Sequence, residues 1–168
     1  MDRDALRARQ APLKERYRDE PEAALVTLSA EGALGDGVSC SLQSGRALAV
    51  AGLHPASGGD GTLLCSGDIL LEALAACAGV TLGAVATSLG IAVRGGTVRA
   101  EGDLDFRGTL GVDRDAPVGF RAIRLAITVD GDADDEQLAT LLRLTERYCV
   151  VLQTIAAGTA PVATIARG

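Results

Sequence analysis

The sequence predicts an α+β fold, with antiparallel sheets wrapped around a long central buried helix and a second, cysteine-bearing helix beside it. Three observations carry this prediction. From Ser66 to Leu89 the chain is apolar on almost every helical face, with Glu72 the one interruption after the first turn, and such a helix has to be covered on all sides. The strand-like runs before and after it follow one another without helices between them, which argues for antiparallel pairing. From Leu138 through Leu141, Leu142, Thr145, Cys149 and Leu152 to Ile155 a stripe recurs at helical spacing. A chain of 168 residues is one domain's worth, so residues 1–168 read as a single domain with residues 1–22 as a charged helical extension.

In that extension Leu6, Leu13 and Tyr17 share one helical face, and Pro12 is expected to break or kink it. Ala24 to Ala30, rich in Val, Leu and Thr, reads as a first strand. Val38, Cys40 and Leu42 alternate with polar residues, which places Cys40 inward as core filler in a second strand. Ser44-Gly45 marks a hairpin and Ala47 to Ala51 a returning third strand. Gly52 to Gly67 is a long glycine-rich loop carrying His54 and Cys65. It lacks the lysine-serine ending of a phosphate loop, and His54 before Pro55 reads as a surface residue.

The central helix has Ser66 as N-cap, Asp68 in the first turn and Gly90 at C′. Its two dozen residues would span roughly 33 Å, long enough for a membrane span. Ala, Gly, Ser and Thr dominate it, however, and no aromatic belt flanks it. Gly79 and Gly83 are spaced to let another helix approach closely. Beyond it, Thr97 to Phe106 and Phe120 to Asp130 alternate as two more strands, with Val98, Ala100, Gly102, Leu104 and Phe106 on one face of the first and Ile123, Leu125, Ile127 and Val129 inward on the second. Asp134 or a near neighbour caps the second helix, Gly158 ends it, and Val162 to Ile165 fits a short last strand.

Composition narrows the function. A net charge of −6 and 2% aromatic residues oppose both a phosphate-binding surface and base stacking, so nucleic acid is not an expected partner. The four cysteines, Cys40, Cys65, Cys77 and Cys149, include no CxxC pair, and His54 is the single histidine. No metal site and no cofactor are expected from such a set. The start of the chain has no apolar signal region, so a cytoplasmic location with free thiols is expected, and no membrane. Free thiols there are most often small buried hydrophobes, and this is the reading against which reactivity has to be argued.

Two cysteine motifs supply that argument. Ser66 to Cys77 is similar to the P-x-E-L-L-x-A-x-x-x-C pattern, and Glu146-Arg147-Tyr148-Cys149-Val150-Val151-Leu152-Gln153-Thr154-Ile155 to the Glu-Arg-Tyr-Cys-Pro-Val-Ser-Asn-Thr-Leu pattern, of the OsmC/Ohr family. From about Val38 to its end the chain resembles that family of hydroperoxide-reducing proteins. It departs from the pattern at Val150, where the family has Pro, at Leu152-Gln153, where it has Ser-Asn, and at Gly67, where one branch carries an acid; Asp68 takes the position next to it.

The resemblance implies a thiol peroxidase acting on organic hydroperoxides, with Cys77 peroxidatic and Cys149 resolving. It implies an intertwined homodimer, which the all-apolar helix also calls for, and a dithiol reductant to restore the thiols. The attacking species is the thiolate, and burial opposes its formation. A cation is therefore expected near Cys77. Arg46 is the closest match to the family's arginine, with Arg94, Arg99 and Arg147 as alternatives, and Asp68 is expected as the accompanying acid. The sulfenic acid left on Cys77 would condense with Cys149 to a disulfide, with Cys40 and Cys65 outside it. Three other readings share the fold: two cysteines that touch only because helices cross, a module binding a small hydrophobic ligand, and a purely structural dimer.

Overall fold

A computed structural model of the chain describes residues 3–34, 40–42 and 51–158, without the side chains of 3–7, 9, 27–34, 40–42 and 51. The elements run α1 (Arg3–Asp19), β1 (Leu25–Leu34), β2 (Cys40–Leu42), β3 (Ala51–Gly52), β4 (Leu64–Cys65), α2 (Ser66–Leu89), β5 (Val93–Asp105), a helical turn α3 (Phe106–Thr109), β6 (Phe120–Gly131), α4 (Asp135–Tyr148) and α5 (Val150–Ala157). Short 3-10 turns occupy Pro21–Ala24 and Pro55–Ser57. The main sheet has the order β2-β1-β5-β6 and is antiparallel throughout. The fold is α+β as predicted.

The alternation read in β5 sets the core. Val98 and Ala100 are fully buried and meet Leu71, Leu74, Ala75 and Ala78 of α2, with Cys149 in the same cluster. Burying one such Leu contributes about 1.5–3 kcal/mol. Toward its C-terminal end α2 packs Leu82 and Ala86 against Leu141 of α4. Tyr17 of α1 packs with Ala24, Phe106 and Leu110 in a separate cluster. Its hydroxyl donates to the Ala56 carbonyl at 2.6 Å, so α1 is tied to the 52–63 loop. α1 runs as one helix with Pro12 inside it.

The helix α2 begins one residue earlier than expected, with Cys65 rather than Ser66 at the N-cap, and ends as predicted at Gly90 in the left-handed region (φ 69°), where the absence of a Cβ avoids strain. It is not covered on all sides by its own chain: Leu70, Val80 and Leu89 remain 40%, 38% and 47% exposed.

Three expectations change against the structure. Ala51, the last residue of the expected third strand, falls in β3, which pairs in parallel with β4 as a separate two-stranded sheet. The Ser44-Gly45 hairpin, Ala47 to Val50 and the last strand at Val162 to Ile165 lie outside the described residues, as does the Cys40 side chain. The Gly52 to Gly67 stretch is not a structureless loop, since it holds the 3-10 turn and β4. Finally, the second helix is two helices, broken at Cys149, whose backbone is extended (φ −70°, ψ 106°).

Candidate thiol site

The break at Cys149 builds the site. α4 starts with Asp134 accepting from the Gln137 N–H while the Gln137 side chain accepts from the Asp134 N–H, a full capping box. It ends at Tyr148, and Cys149 is at once its C-cap and the N-cap of α5. No proline enforces this stop. The β-branched pair Val150-Val151 weakens helix continuation locally, and the Gln153 side chain bridges the joint by donating to the Glu146 carbonyl at 2.8 Å. The Cys149 sulfur accepts the Leu152 N–H at 3.5 Å.

This geometry turns the first N–H groups of α5 toward α2, where Cys77 sits. Cys77 is half-buried and Cys149 is fully buried. Burial pushes the Cys77 thiol up, but the Val151 N–H, the Cys149 thiol, the Thr81 hydroxyl and the Val150 N–H all act on the sulfur, and together they hold it below the ordinary thiol range. Cys149 goes the other way: burial and the adjoining Cys77 push it up, against the Leu152 N–H. The two predicted cysteines are thus brought together with unequal acidities. Cys77 is the member that carries charge first, and thiolate is the nucleophilic form.

The polar groups around Cys77 are uncharged. Thr81 lies four residues on from Cys77, on the same face of α2, while Val150 and Val151 act through backbone alone. Sequence reasoning assigned none of these three a role. Thr81 was findable from its spacing, whereas the two N–H donors follow from the helix break, for which the sequence offers only the two valines as a signal.

The predicted charged residues lie elsewhere or outside the described residues, and Arg46 is among the latter. Arg94 pairs bidentately with Asp132 (2.5 and 3.0 Å), Arg99 pairs with Glu101 at 3.0 Å, and the Arg147 guanidinium stands over the Tyr148 ring at 5.5 Å. Asp68 is nine residues before Cys77, about 13 Å along the helix axis. Its partners are His54 and the Cys65 N–H, though burial dominates and raises its carboxyl. His54 is not the free surface residue expected. Its Nδ1 accepts the Ala56 N–H at 3.0 Å, and its ring stacks on Phe106 with centroids 5.0 Å apart. Cys65, at the head of α2, is half-buried and is separated from Cys77 in sequence by the eleven helix residues Ser66 to Ala76.

A groove of about 500 Å³ opens between α2, β6 and α4, lined by Leu82, Leu125, Ile127, Val129, Leu138 and Leu142 among others. Among the described residues no cluster of His, Cys, Asp and Glu is arranged to hold a metal.

Comparison with known proteins fits this geometry. The family described as OsmC-like protein matches residues 59–164, which spans both cysteines. The chain belongs to the OsmC-like family. Among solved structures, an OsmC-like hydroperoxide resistance protein from Jannaschia sp. CCS1 is similar in fold, with a TM-score of 0.57 over 83% of this chain and 91% of that one, at 16% identity. A comparison with curated proteins gives no match.

Proposed function

We propose that this OsmC-like protein is a thiol-dependent peroxidase that reduces organic hydroperoxides, with Cys77 attacking the peroxide and Cys149 resolving the product. The observation that carries the reading is the unequal pair: a half-buried cysteine favoured as thiolate by four neutral donors, against a fully buried one that keeps its proton. Two cysteines that merely touched across a helix crossing would need no such convergence of N–H and O–H groups. Arg46 remains the expected cation, added to these donors rather than replacing them. Asp68 enters through the electrostatic influence of its carboxylate on His54. The protein is proposed to work in the cytoplasm with a dithiol reductant.

Bulky organic hydroperoxides are expected to be preferred to hydrogen peroxide. Val151, Leu152 and Ile155 pack against the cluster that holds both thiols, and each buried methylene of a substrate contributes about 0.8 kcal/mol. The decisive experiment follows hydroperoxide consumption with a dithiol reductant, wild type beside Cys77→Ser. Turnover of cumene hydroperoxide lost in Cys77→Ser supports the reading; equal activity in both proteins overturns it.

The working unit is proposed to be a homodimer. Leu70, Val80 and Leu89 of α2 and Leu138 and Leu142 of α4 stay exposed in the single chain, and a second copy would cover them. Sedimentation at micromolar concentration is expected to give twice the chain mass. The groove between α2, β6 and α4 favours one other reading, a non-enzymatic OsmC-like dimer that binds a small hydrophobic ligand there. A ligand seen in native mass spectrometry, together with no peroxide turnover, selects it.

A further inference from the structure

The peroxidase reading needs a proton as well as a nucleophile. When a thiolate attacks a hydroperoxide, the departing oxygen leaves as alkoxide, a far stronger base than any group around the sulfur. The alcohol it forms is a far weaker acid than a thiol, whose pKa is about 8.5. Of the donors at Cys77, the Val150 and Val151 N–H groups and the Thr81 hydroxyl do not give up their protons under these conditions. The Cys149 thiol can. It belongs to the buried cluster against which Cys77 packs and is shut away from solvent at 0% exposure. Its sulfur accepts the Leu152 N–H at 3.5 Å, a contact that stabilises negative charge there once the proton has gone.

We propose that Cys149 is also the acid of the first chemical step, giving its S–H proton to the alkoxide as Cys77 attacks. The proposal rests on the peroxidase reading and assigns Cys149 a role earlier than resolution. The Cys77 thiolate attacks the terminal oxygen of the hydroperoxide, an S–O bond forms, and the O–O bond breaks. The alkoxide takes the Cys149 proton and leaves as alcohol, and Cys77 becomes a sulfenic acid. Cys149 is now a thiolate beside that sulfenic acid. Its attack forms the S–S bond and expels hydroxide, which the proton released earlier by Cys77 converts to water. One hydroperoxide has gained two electrons from two thiols, and atoms balance as alcohol, water and disulfide. The buried thiol is thus held protonated for the first step and becomes a nucleophile only as that step occurs.

The test is a single-turnover experiment on the reduced full chain with three oxidants of rising leaving-group basicity: peracetic acid, cumene hydroperoxide and tert-butyl hydroperoxide. Wild type is compared with Cys149→Ala and Cys149→Ser, and each rate is divided by the Cys77 thiolate fraction obtained from alkylation against pH. Both variants are expected to lose tenfold or more with tert-butyl hydroperoxide and little with peracetic acid, giving a steeper dependence on leaving-group basicity than wild type. A serine fills the space but is too weak an acid to restore the proton, so it keeps the test usable if the alanine variant fails to fold. Parallel dependences in wild type and variants overturn the acid role and leave the peroxidase reading standing. No reaction of wild-type Cys77 with any of the three overturns both.

Discussion

The two ends of the first half of α2 handle negative charge differently. At the head of the helix, the Asp68 carboxylate faces His54, and both are partly desolvated, so each is pushed toward its neutral form while the other's charge pulls it back. Near the middle, the Cys77 sulfur meets neutral dipoles, from the N–H groups that open α5, the Thr81 hydroxyl and the Cys149 thiol. A pair of formal charges is screened by salt and costs desolvation on both partners. Fixed N–H groups at a helix start bring no counter-charge into the core, yet they favour an anion. A half-buried thiolate suits the second arrangement, because the dipoles are paid for by folding and are present before the peroxide arrives.

The largest expected effect removes the second sulfur. In Cys149→Ser, dithiol-driven turnover is expected to fall by at least a hundredfold, and Cys77 is expected to stop as sulfenic or over-oxidised acid after one equivalent of peroxide. Non-reducing peptide mapping of wild type treated in the same way should show a Cys77–Cys149 crosslink. A crosslink to Cys65, or a Cys77 that stays reduced, would break the comparison at its centre.

Most of the fold was legible because its signals are local. Alternation in β5 and β6, the all-apolar run of α2 and the capping residues Asp134, Gly90 and Gly158 each act within a few residues. The two cysteines were legible as motifs. What was not legible depends on the chain meeting itself. The parallel pairing of β3 with β4 is a long-range choice, and the break at Cys149 has no proline to announce it. The donors at Cys77 depend on that break, so sequence reasoning looked for a cation where the described residues supply amides. His54 looked exposed before Pro55, but Phe106 stacks on it from fifty-two positions away.

A middle-sized effect sharpens the contrast between dipoles and charges. Val150→Pro restores the residue that the resemblance places after the second cysteine and deletes one N–H that faces Cys77. The fold should accept it: Cys149 is already extended, as a residue before proline prefers, and proline suits the first position of a helix. The lost donor is expected to raise the Cys77 thiol and slow its alkylation at neutral pH by roughly two- to tenfold, in line with the ~0.5–1.5 kcal/mol of one hydrogen bond. Thr81→Val should act in the same direction. Raising salt to 1 M should change neither rate much if the dipoles dominate. A strong salt dependence in wild type would instead point to Arg46, and Arg46→Ala would then give the larger slowing.

The smallest expected effect concerns the charged end. His54 is the single histidine, so its ring protons give one unambiguous titration by NMR. Desolvation lowers its pKa and the Asp68 carboxylate opposes that, so wild type should titrate below about 6.5. Replacing Asp68 with Asn removes the opposing charge, and the midpoint should move lower still. The sign carries over to stability. With the folded value below the unfolded one, the unfolded chain binds more protons between the two, so the contribution of His54 is full above about pH 6.5 and is lost as pH falls toward the folded value. Asp68, raised on folding by burial, contributes in the opposite sense: its share is present at low pH and lost as pH rises from about 3.9 through its folded value. Asp68→Asn should therefore steepen the loss of stability on acidification below pH 6.5. If the histidine midpoint stays in place in that variant, the two groups do not sense each other. The contrast between a charge-paired helix start and a dipole-held thiolate would then rest on Cys77 alone.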